Sequence, residues 1–143
     1  MTKTPPIIID TIINAPVKKV WDALTHRRQM KHWFFDIENF IPEFGAEFEF
    51  YNDADKKDYL HKGKITDMVL EQKIGYDWKY DGIEGDSHVT IELHPDLEGK
   101  TRLKLKHSGT ESFPAYDNNL SRASFEKGWD QIINHNLKNY LEQ

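Results

Sequence analysis

The sequence predicts an α+β protein: a curved antiparallel sheet of about six strands, two short helices after the first strand, and one long helix at the C-terminus. Three patterns carry this expectation. β-branched residues crowd a short segment near the start. Later segments alternate apolar and polar residues and are separated by tight polar turns. The last stretch repeats apolar side chains at helical spacing.

The elements follow in order. Ile7 to Asn14 holds Ile7, Ile8, Ile9, Ile12 and Ile13, side chains that fit a pleated strand. Ala15-Pro16 ends it, and a proline suits the first helical position, where an amide N–H would be unpaired anyway. Val17, Val20, Trp21 and Leu24 then fall on one helical face. Arg27 to Trp33 reads as a second short helix, with Met30 and Trp33 on one side. Residues 34–46 lack periodicity and carry Pro42 and Gly45, so they read as a loop that becomes a strand. Phe48 and Phe50 alternate with Glu47, Glu49 and Tyr51, and Asn52 to Lys57 forms a polar turn. His61 to Gln72, Ile74 to Tyr80, a segment around Val89, Ile91 and Leu93, and one around Leu103, Leu105 and His107 complete the strands. The turns fall at Asp81 to Asp86 and Pro95 to Lys100. Consecutive strands joined this tightly imply an antiparallel meander. Ser121 is a candidate N-cap, and Phe125, Trp129, Ile132, Ile133, Asn136, Leu137 and Tyr140 form a stripe broad enough to cover a sheet.

Composition narrows the function classes. The chain has 143 residues and a formal charge of −5, which suits one domain spanning 1–143 and argues against a nucleic-acid binder. No apolar run reaches the length of a membrane span. There is no cysteine, which removes disulfides, thiolate nucleophiles and Cys-based metal sites together. A soluble cytoplasmic protein is the expectation, although a cysteine-free chain is also compatible with export.

Seven histidines invite a metal reading, but none shows the His-Glu-x-x-His spacing of a zincin. His88 and His94 share a strand face roughly 20 Å apart, too far for one ion to bridge. Nucleophile-elbow, P-loop and dinucleotide motifs are absent. The sequence therefore implies neither a metal nor a cofactor.

The ordered set Ile12-Ile13-Asn14-Ala15-Pro16, Val20-Trp21-Ala23-Leu24-Thr25 and Trp33 resembles the start of the START-like (SRPBCC, helix-grip) superfamily. More narrowly it resembles the branch named after the activator of the heat-shock protein 90 ATPase. Gly45 and Phe48, Gly63, Trp78, His107 with Gly109, and Gly128-Trp129 continue that pattern. Ala46 stands where the branch has a second glycine, and Lys100 splits its Gly-Thr pair. The resemblance implies a cavity between sheet and helix. It does not carry over co-chaperone activity, because the eukaryotic co-chaperones use a further N-terminal domain.

Given such a cavity, the first expectation is a non-enzymatic binder of a small hydrophobic molecule, lined by Trp33, Phe48, Phe50, Trp78, Phe113, Trp129 and Ile133. A second is a polyketide-cyclase-like enzyme, since relatives with this fold include cyclases and aromatases. Its acid–base candidates are Asp67 and His107, with Tyr76, Tyr80 and Asn136 as hydrogen-bonding partners. Asp67 shares parity with Ile65 and Val69, which would aim it inward; the alternative is a residue facing water. For His107 the alternative is a buried histidine bonded to backbone. A third expectation is a stress- or chaperone-related interaction module. Either a monomer or a homodimer fits the sequence.

Overall fold

The computed structural model describes residues 4–51 and 59–142. The turn expected at Asn52 to Lys57 lies outside them. Strand β1 (Ile7–Ile13) leads into helices α1 (Val17–Thr25) and α2 (Arg27–Trp33). Strands β2 (Glu47–Tyr51), β3 (Leu60–Val69), β4 (Lys73–Tyr80), β5 (Ser87–Pro95) and β6 (Thr101–Ser108) follow. They form one six-stranded antiparallel sheet in the order β1-β6-β5-β4-β3-β2. The N-terminal strand thus returns to pair with the last one, and the meander runs out to β2 at the other edge.

The alternation in sequence translates into two faces. Phe48, Phe50, Ile74, Tyr76, Trp78, Val89, Ile91, Leu93, Leu103, Leu105 and His107 point into the core. Their charged neighbours meet across strands on the outer face, where Glu47 lies opposite Lys64, Glu49 opposite Lys62, and Glu92 opposite Lys104. Such pairs contribute ~0.2–1 kcal/mol each.

The register slips once. Ile65 pairs with Tyr76, but Asp67 pairs with Gly75, so Thr66 and Asp67 together face one residue of β4. This is a β-bulge, and it re-aims the side chains beyond it. Met68 rather than Asp67 packs against the core. The strand stops at Val69, where the sequence suggested Gln72, and residues 70–72 form the turn.

Gly63 marks a close approach. A Cβ built there would lie 2.4 Å from the Phe48 ring and 2.8 Å from the Asp77 carbonyl oxygen. The Phe48 ring therefore needs a bare backbone beneath it. Gly63→Ala should cost ~1–3 kcal/mol through overpacking, read as a lower urea midpoint with unchanged slope. An unaltered midpoint would show that the ring has room elsewhere.

Helical winding runs from Arg122 to Leu141 as α3 (Arg122–Trp129), a π-helical segment (Asp130–Leu137) and α4 (Lys138–Leu141). The Ser121 side chain accepts a hydrogen bond from the Ser124 N–H at 3.2 Å, the N-cap expected from sequence. The buried residues are Phe125, Trp129, Ile133, Leu137 and Leu141, four apart throughout. In an α-helix a four-residue step drifts about 40° around the axis. The wider i→i+5 winding turns less per residue and rotates the stripe back onto the sheet. Asn136 falls off this stripe: it is exposed and accepts a hydrogen bond from Gln131 at 3.1 Å.

Candidate ligand site between the sheet and the C-terminal helix

The interior is aromatic, and the half-buried ring of Phe34 packs against several of its members. Phe34 caps the C-terminal end of α2. Its ring stacks on Trp33 at 5.2 Å and on Trp129 at 6.1 Å between centroids. Phe35, Phe50 and Trp78 lie 4.7, 6.0 and 6.2 Å away. Helix, sheet and the segment after α2 therefore each contribute a ring. Trp33 is fixed by an indole N–H donated to the Ala23 carbonyl at 2.9 Å, which braces α2 against α1.

On the other side of Phe34 and Trp33 lies an apolar void, bounded also by Ile37, Phe40, Phe48 and Tyr76, with Leu24, Met30, Ile74 and Ile91 completing the wall. It measures about 10 Å³, room for no more than a water molecule. Side chains thus fill most of the space that the family resemblance implied would be a cavity. A roomier concavity of about 460 Å³ lies on the outer face of the sheet, lined by Glu47, Glu49, Lys62, Lys64, Asp77 and Lys79 among others. Its charged walls do not suit an apolar molecule.

A chain of buried hydrogen bonds runs beneath the aromatic cluster. The Trp129 indole N–H donates to His107 Nδ1 at 2.9 Å. An indole N–H can only donate, so Nδ1 is unprotonated and Nε2 carries the ring proton. Nε2 donates to Ser87 Oγ at 2.8 Å, and the Ser87 hydroxyl donates to the Trp78 carbonyl at 2.6 Å. The relay has one direction and ties the helix to β6, β5 and β4. It requires neutral His107. Burial supplies this, pushing the imidazole pKa down to about 3. His107 is 0% exposed and has no open cavity beside it; it is buried, but its partners are the Trp129 and Ser87 side chains and not the backbone considered from sequence.

His61, on β3, is buried as well. It stacks on Phe50 at 4.6 Å, meets Tyr80 edge-on at 4.7 Å, and donates from Nδ1 to the Tyr59 carbonyl at 3.1 Å. Burial lowers its pKa to about 4. Nearby, the Trp78 N–H donates to the Tyr80 hydroxyl at 2.8 Å.

Asp67 does not point inward. The bulge turns it to the outer face, where Lys73 Nζ lies 2.7 Å from its carboxylate. The hydrogen bond from Lys73 holds the carboxyl below its ordinary range. Neither acid–base candidate presents its group to an open cavity. Among the residues expected to line a site, Trp33 and Phe48 border the void, while Phe50, Trp78 and Trp129 surround Phe34. Phe113 packs against Tyr80 and Phe125 instead, and Ile133 is sealed beneath the helix. Phe34 and His61 were not singled out from sequence. The adjacent pair Phe34-Phe35 in an aperiodic segment was the only available signal for Phe34.

Among the described residues, no three His, Cys, Asp or Glu side chains come together to hold a metal ion. No helix among them is long and apolar enough to cross a membrane.

Residues 14–142 match the family described as activator of Hsp90 ATPase homolog 1-like proteins. The chain belongs to this family. The solved structures agree on the fold. A Chromobacterium violaceum protein superposes with a TM-score of 0.78 at 21% identity, covering 97% of this chain and 98% of its own. DynU16, from the dynemicin biosynthetic locus, gives 0.77 at 20% identity, covering 98% of this chain and 48% of its own. The Aha1 dimer from Colwellia psychrerythraea gives 0.69 at 19% identity, with 97% of each chain covered. No curated protein matches the sequence. The α+β helix-grip architecture of this Aha1-like family member thus follows from its own strand order and from its neighbours alike.

Proposed function

We propose that this protein binds a small, mostly hydrophobic molecule between the sheet and the C-terminal helix, in the place the Phe34 ring now fills. One observation carries the reading. Phe34 is packed by rings on several sides and borders an apolar void, yet its backbone belongs to the irregular segment after α2. Its ring can leave the cluster without breaking a strand or the covering helix. Residues 34–46 form neither helix nor strand, and a segment outside the regular elements opens at lower cost than they do. A ligand in the vacated place would meet Trp33, Phe48, Phe50, Trp78 and Trp129. Apolar burial at ~25 cal/mol per Å² supplies its affinity. In this reading the partner is a small molecule rather than a chaperone, and the site of action is cytoplasmic.

Native mass spectrometry on protein purified from its own host, compared with the denatured mass, tests for a bound molecule. The same spectrum reports whether one copy or two carry it. A variant gives a sharper test. Phe34→Ala should fold with a loss of ~1–3 kcal/mol, since Phe34 is only half-buried, and should bind naphthalene at least roughly tenfold more tightly than wild type, because an emptied apolar cavity takes up aromatic molecules. A folded Phe34→Ala protein with no gain in naphthalene affinity would sink the proposal.

A further inference from the structure

Tyr76 is the one residue of the void wall whose polar atom is unused. Its side chain comes from β4 and is 93% buried, being 7% exposed. Among the described residues its hydroxyl has no hydrogen-bond partner, whereas the hydroxyl of Tyr80 on the same strand accepts from Trp78. No side-chain nitrogen or oxygen among these residues is both sealed and unpartnered. The Tyr76 hydroxyl must therefore keep a thread of access through an otherwise apolar wall.

The wall offers this hydroxyl little. Leu24, Ile37, Phe40, Phe48, Ile74 and Ile91 have no polar atoms. The Trp33 N–H is a donor and is already spent on Ala23. The Met30 thioether is a weak acceptor at best. Burial pushes the phenol pKa up, so the group stays protonated and available as a donor. A ligand that brings an acceptor replaces the hydroxyl's thread of solvent contact with a hydrogen bond shielded from water, a net gain of roughly 0.5–1.5 kcal/mol. No charged side chain lines the void, so a charged molecule would lose its hydration without compensation. The surrounding ring faces of Trp33, Phe40 and Phe48 favour a flat guest.

We propose that Tyr76 is the orienting residue of the site, its hydroxyl donating a hydrogen bond to a carbonyl oxygen on an uncharged, planar aromatic ligand. The inference rests on the binding function proposed above and names the class of molecule that the site takes.

A matched pair of probes tests it. 1-Indanone and indane share size and shape and differ by one carbonyl oxygen. Titration calorimetry on wild-type protein should show indanone binding roughly three- to tenfold more tightly, the worth of one hydrogen bond. In Tyr76→Phe that preference should vanish while indane affinity stays the same. The carbonyl stretch of bound indanone should shift to lower frequency in wild type and return in the variant. Equal binding of both probes by wild type would overturn the role of Tyr76 and leave the pocket standing. Binding of neither would overturn the pocket, and this inference with it. Because the wild-type comparison needs no variant, a folding defect in Tyr76→Phe would not obscure the answer.

Discussion

Lowering the pH from about 7.5 to about 4.5 is expected to strip roughly 5 kcal/mol from the folding free energy, about 2–3 kcal/mol for each of two histidines. His107 and His61 have folded-state pKa values pushed down by burial to about 3 and about 4, from 6.5 in the unfolded chain. The unfolded state therefore binds more protons, and stability rises with pH. The contribution is complete above 6.5. It falls as the pH drops below that value, and the loss ends near 4 for His61 and near 3 for His107. Asp10 and Asp67 are also held low, by hydrogen bonds from Arg102 and Lys73, but both carboxylates lie in water and are screened. Urea denaturation across this range measures the loss. A midpoint that does not move between about pH 7.5 and 4.5 would mean that both imidazoles reach solvent.

The second large effect belongs to the relay that His107 anchors. His107→Ala should cost about 3–5 kcal/mol, through a core cavity and the loss of two buried hydrogen bonds. The indole N–H of Trp129 is left unpaired, while Ser87 loses one donor and keeps its bond to the Trp78 carbonyl. Trp129→Phe removes one of the same bonds while keeping a ring. The two changes together should therefore cost less than their sum, by about 0.5–3 kcal/mol. His107→Ala should also abolish about half of the pH dependence described above. Strict additivity, or a pH profile identical to wild type, would show that the two residues act independently.

Much of this architecture could be read from the residues. Alternation placed Phe48, Phe50, Trp78 and His107 on the inner face because each strand has one buried side, and burial is what writes period two into a sequence. Ser121 declared the helix start. The failures have physical causes. For Asp67, strand parity alone pointed inward and the water-facing alternative holds, because a bulge adds a residue without a recognisable residue type. Asn136 was misplaced because the π-helical winding alters the helical period that the reading assumed. Phe34 was overlooked because an irregular segment carries no period at all. Its importance comes from neighbours supplied by β2, β4 and the C-terminal helix, which only the folded chain brings together. That Tyr76 lacks a partner is likewise a property of its surroundings, invisible in a strand that spaces Tyr76, Trp78 and Tyr80 evenly.

The bulge in β3 also has a meaning for how this chain tolerates change in length. Thr66 and Asp67 occupy a place that one residue would fill in a regular ladder. The strand therefore carries a single residue of slack. Removing one of the two would restore plain alternation from Ile65 to Met68 and leave each later side chain of the hairpin on its present face. Elsewhere in a strand, loss of one residue swaps inside for outside. The position behaves like a spare link in a chain, where a relative can be one residue shorter and still present the same interior.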